Sequence, residues 1–81
     1  MTKHVFSVLM SYAGNTWQNA IQTPDHSQVL MLETAESAEQ LLFSQSTATL
    51  TEGDRASIMN NATGHIVAEY HYRDNGWHKK M

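Results

Sequence analysis

Hydrophobic and polar positions alternate most clearly at the two ends of the chain. Near the start, Phe6, Val8, Met10 and Tyr12 fall on one side and Val5, Ser7, Leu9 and Ser11 on the other, which predicts a strand from Lys3 to Ala13. Gly14-Asn15 then reads as a two-residue hairpin loop, setting Tyr12, Met10 and Val8 opposite Trp17, Asn19 and Ile21. Near the end, Arg55 to Asn60 and His65 to Tyr72 alternate around Asn61-Ala62-Thr63-Gly64, the pattern of an antiparallel hairpin. Strict alternation puts Ile66, Ala68, Tyr70 and Tyr72 on a core face and His65, Val67, Glu69, His71 and Arg73 on a polar one. Asp74-Asn75-Gly76-Trp77 follows as a second turn, with Asn75-Gly76 as its loop and a short closing strand behind it.

Between these ends the pattern changes. Pro24-Asp25-His26-Ser27 reads as a turn, and the unbroken apolar run Val29, Leu30, Met31 and Leu32 predicts a third, central strand over Gln28 to Glu33. Thr34 suits a helix N-cap and Glu36 suits the first turn, while Ala38, Leu41 and Leu42 recur at helical spacing. A helix over residues 35 to 46 follows, with Phe43 off its apolar stripe. Ser and Thr dominate residues 44 to 51, and Glu52-Gly53-Asp54 closes the segment as a turn.

These elements predict an α+β domain: an antiparallel sheet of four to five strands in the order βββαββ, with a possible short sixth strand and one helix on one face. A chain of 81 residues has room for a single domain, and 41% hydrophobic with 16% charged residues is the composition of a folded chain. One helix of about 12 residues covers only one side of such a sheet. Val5, Leu9, Val29, Met31, Met59 and Val67 would then leave apolar groups on the other side. Together with Phe43 they imply a protein-interaction or homodimerisation surface, expected at Phe43, Val29, Met31, Met59 and Val67.

Charge and chemistry narrow the rest. There is no cysteine, so disulfides and thiolate metal sites are excluded and any metal would use His, Asp or Glu. With five Lys and Arg against eight Asp and Glu, and a net charge of −3, the composition points away from nucleic acid. The N-terminus lacks the apolar core of a signal peptide and no segment is long enough to cross a bilayer, so a soluble cytoplasmic protein without a membrane partner is expected. No Gly-x-Ser-x-Gly turn and no phosphate-binding glycine loop is present, which gives catalysis no positive support and calls for no cofactor. Glu33, Glu36 and Glu39 read as a solvated helix face. The alternative to an interaction module is a metal-binding domain or small metal-dependent enzyme, with a divalent-metal site on the closing hairpin. A loop at Asn75-Gly76 sets His78 opposite Arg73 and gathers Glu69, His71 and His78 on one face. His65 lies about 20 Å along the strand from His71, too far to join that set, and His4 and His26 read as solvated.

Overall fold

The computed structural model describes residues 5–12, 16–21, 25–45 and 48–80. Their elements are β1 (Phe6–Ser11), β2 (Gln18–Asn19), α1 (His26–Met31), α2 (Ala35–Ser44), β3 (Arg55–Asn60), β4 (His65–Arg73) and β5 (Gly76–Lys79). The five strands form one antiparallel sheet in the order β2-β1-β3-β4-β5, so the fold is α+β as expected. The element order is ββααβββ rather than βββαββ, because the segment expected as a third strand is a helix.

The reason lies at Asp25. Its carboxylate accepts the backbone N–H of Gln28 at 2.9 Å, while the Gln28 side chain accepts the N–H of Asp25 at 3.1 Å. This reciprocal capping box starts a helix immediately before the apolar run, and an unbroken run of that length suits a short helix as well as a strand. Backbone pairing resumes at once: Phe6 donates to the carbonyl of Leu32 at 2.9 Å, tying the end of α1 to the start of β1. The loop expected at Gly14-Asn15, the turn at Pro24 and His4 lie outside the described residues.

Helix α2 begins where expected, with the Thr34 hydroxyl accepting from Ser37 N–H at 3.1 Å. Its buried residues Ala38, Leu41 and Leu42 join Val8, Met10, Leu32, Ala56, Ile58, Ala68 and Tyr70 in one core. The helix ends at Ser44, whose hydroxyl turns back to the Leu41 carbonyl at 2.7 Å, as serine does when it competes with the helical ladder. At the next turn Asp54 is 2% exposed, and its carboxylate accepts the N–H of Thr51 at 3.0 Å. Gly53 beside it takes φ +93°, a conformation that glycine reaches without strain.

Three registers decide what each face of the sheet carries. Between β1 and β2, Leu9 pairs with Asn19 and Met10 with Gln18, one residue away from the pairing that a two-residue loop dictates. A one-residue slip exchanges faces, so Trp17 leaves the core side. Between β3 and β4, Ile58 pairs with Ala68 but Met59 pairs with Ile66, leaving Val67 as the extra residue of a β-bulge. Ile66 therefore sits opposite Met59, away from the helices, and is 37% exposed. Between β4 and β5, the loop is Asp74-Asn75, both at positive φ, and Arg73 pairs with Gly76. This moves the pairing two residues from the Asn75-Gly76 expectation without exchanging faces. It brings Trp77 opposite Tyr72, with ring centroids 5.4 Å apart and edge to face. Asp and Asn tolerate the left-handed conformation well enough for that aromatic pair to decide the loop.

The bulge makes a direct prediction. Ile58→Ala should cost about 2–5 kcal/mol in urea unfolding, as for a fully enclosed aliphatic side chain, whereas Ile66→Ala should cost under about 1 kcal/mol. Equal costs would mean that β4 alternates without interruption.

Candidate interaction surface

Helix α2 packs on one face of the sheet through Ala38, Leu41 and Leu42, with α1 beside it, and the other face has no covering layer among the described residues. Cross-strand pairing orders that open face into rows. One row runs Ser7, Met59 and Ile66, and the next runs Asn19, Leu9, Ser57 and Glu69. A third runs Ser11, Arg55, His71 and His78, with Trp17 continuing it on the β2 side. Leu9, Trp17, Ser57, Ile66 and Glu69 line a shallow depression of about 260 Å³ that is mostly apolar.

Small residues on this face are buried beneath their neighbours. Ser7, Ser11 and Ser57 are 6%, 1% and 3% exposed although they point away from the helices. Their larger neighbours overhang them, most visibly Arg55, whose guanidinium lies 5.3 Å from the centre of the Trp17 ring on the far side of Ser11. That cation–π contact holds two long side chains flat across the sheet.

The residues expected to form one interaction surface are placed apart. Met59 is on the open face, opposite Ser7. Val29 and Met31 are on α1 rather than on a strand, and Met31 packs against the core. Val67 is the bulge residue and lines a groove with Ala35, Glu36, Glu39 and Tyr70 on the helix side. Phe43 stands at the edge of α2 with its ring 5.7 Å from Tyr70, in a recess of about 250 Å³ shared with Asn75, Gly76 and Trp77. The indole N–H of Trp77 is buried there without a hydrogen-bond partner among the described residues. The open-face residues that reasoning from alternation missed are Trp17 and Ile66, displaced by the slip at β2 and the bulge at Val67.

The residues weighed as metal ligands are brought partly together. His71 and His78 are direct cross-strand partners, and Glu69 shares their face two residues before His71. The His78 Nε2 is already 3.0 Å from the carbonyl oxygen of Arg73. Among the described residues no three His, Asp or Glu side chains form a group that could hold a metal ion. His65 pairs with Asn60 at the far end of β4, and His26 is exposed at the first turn of α1.

One polar cluster on the helix side links the two layers. The Tyr70 hydroxyl donates to the Glu39 carboxylate at 2.6 Å, and Lys79 Nζ lies 3.4 Å from the same oxygen. Glu39 is thus a partner of the core rather than a wholly solvated residue. The bond from Tyr70 holds its carboxyl below the usual value, helped by Lys79 and opposed by partial burial. Burial, and then the bond and charge of Glu39, push the Tyr70 hydroxyl well above its ordinary value. No local pattern announces this pair, whose members are 31 residues apart in the chain.

Compared with known proteins, the chain matches no protein family, no curated sequence and no solved structure. Among the described residues no helix is long and apolar enough to cross a membrane.

The Glu39–Tyr70 bond sets a pH dependence. Because the folded carboxyl titrates low, its stabilisation is present above its ordinary value of 4.5 and is lost as the pH falls through the lowered one. Because the folded hydroxyl titrates high, its contribution is present below its ordinary value of 10.0 and is lost as the pH rises above it. Tyr70→Phe should cost about 1–2 kcal/mol at neutral pH and flatten both limbs of a stability–pH curve measured by urea unfolding. An unchanged acid limb would show that the bond does not form in solution.

Proposed function

We propose that the protein is a non-catalytic interaction module whose open sheet face pairs with a second copy of the chain. The observation that supports this most is the apolar strip of Leu9, Trp17, Met59 and Ile66 on the face opposite the helices. A small domain gains little from leaving such side chains in water, and a contiguous apolar strip with a charged rim is the usual make-up of a contact surface.

Two further features favour the face over the sheet edges. The β2 edge is only two residues long and polar, Gln18 and Asn19. The β5 edge carries His78, Lys79 and Lys80, and charged edges discourage strand addition from another chain. The basic residues Arg73, His78 and Lys80 sit at the β4–β5 corner, to one side of the strip. A twofold axis lying along the strip would bring Leu9, Met59 and Ile66 of the two copies together while keeping the two basic corners apart.

Light scattering across a micromolar to millimolar series is expected to show a monomer–dimer equilibrium. Ile66→Asp should shift it to monomer at every concentration while leaving the circular dichroism spectrum unchanged, because Ile66 contributes little to the core. A wild-type protein that stays monomeric throughout the series would overturn the reading.

A further inference from the structure

The β4–β5 hairpin encloses a recess of about 210 Å³ lined by His71, Arg73, His78, Lys79 and Lys80. Every one of these side chains carries positive charge or can take it up. The concentration stands out against the composition: of five Lys and Arg in a chain of net charge −3, three line this recess and a fourth, Arg55, pairs with His71 on the neighbouring strand.

The hydrogen bonds show which charges are committed. Lys79 Nζ is held by Glu39 at 3.4 Å. Among the described residues no carboxylate forms an ion pair with Arg73 or Lys80. Glu69 lies on the same face as His71, and its backbone carbonyl accepts from Lys80 N–H at 2.7 Å, but its side chain does not line the recess. A carbonyl oxygen only accepts, so the 3.0 Å contact to Arg73 means that His78 Nε2 carries a hydrogen. Its Nδ1 is then an acceptor in the neutral ring and a second donor once the ring is protonated.

We infer that this recess is an anion-binding site that takes a single tetrahedral phosphate or sulfate group. Arg73 offers a planar fork of donors suited to two oxygens of such a group, and Lys80 adds a point charge. His71 and His78 add ring N–H donors beside these charges. The same surroundings oppose a divalent cation, which would meet the charges of Arg73 and Lys80 at close range. The site does not depend on pairing through the apolar strip, because its residues lie to one side of that strip.

The test follows the ring proton signals of His71 and His78 by NMR while sodium sulfate is added, with sodium chloride at equal ionic strength as the reference. Saturable, sulfate-specific shifts of both rings are expected, with about tenfold weaker binding in Arg73→Gln. Lys80→Gln, also at an exposed position, should weaken binding as well. Glycerol 2-phosphate in place of sulfate extends the result: binding of both assigns the site to phosphate esters, and binding of sulfate alone assigns it to the free ion. Shifts that chloride reproduces, or that persist unchanged in both variants, would overturn the site.

Discussion

The parity of β4 is the constraint on which the rest of the sheet depends. Ala68, Tyr70 and Tyr72 must face α2 to close the core, and the β3–β4 turn must return the chain at Asn60 and His65. A regular ladder would send Ile66 to the helix side. The extra residue at Val67 turns it outward instead, beside Leu9 and Trp17. One inserted residue thus defines the end of the core on one side and completes an apolar strip on the other.

The two layers are joined by more than packing. Tyr70 is almost fully buried, yet its hydroxyl reaches the Glu39 carboxylate on α2, and Lys79 of β5 closes on the same group. A buried phenol with a charged acceptor is directional, so it fixes the angle of α2 over the sheet in a way that leucine contacts alone do not. It also uses the positive charge of Lys79 on the helix side. The basic character of the opposite corner therefore rests on Arg73, Lys80 and the two histidines.

Much of this architecture was legible because its signals are local. Thr34 with Glu36 marks the start of α2, and Asn61 to Gly64 marks the β3–β4 turn. The core residues Val8, Met10, Ala38, Leu41, Leu42, Ile58 and Tyr70 follow from simple periodicity. The capping box at Asp25 and Gln28 was also local, but the apolar run behind it spoke for a strand with equal force. What alternation could not reveal were the registers. The slip at β2 and the bulge at Val67 each displace one apolar side chain to the open face, and neither leaves a mark in composition. The β5 register is set by Trp77 meeting Tyr72, an attraction between side chains that a loop preference for Asn75-Gly76 does not include. Glu69, His71 and His78 do share one face, as the pattern implied. Only the folded hairpin shows that Arg73 and Lys80 line the same recess as the two histidines.

The placement of the two tryptophans has an optical consequence. Trp17 lies on the open face beneath a guanidinium, and Trp77 lies on the helix side against Tyr72 with its indole N–H enclosed. The chain holds two Trp in all. Replacing either one leaves a single emitter dedicated to one side of the molecule, so events on the uncovered face and loosening of the helical layer can be recorded as separate colour changes without attaching any label.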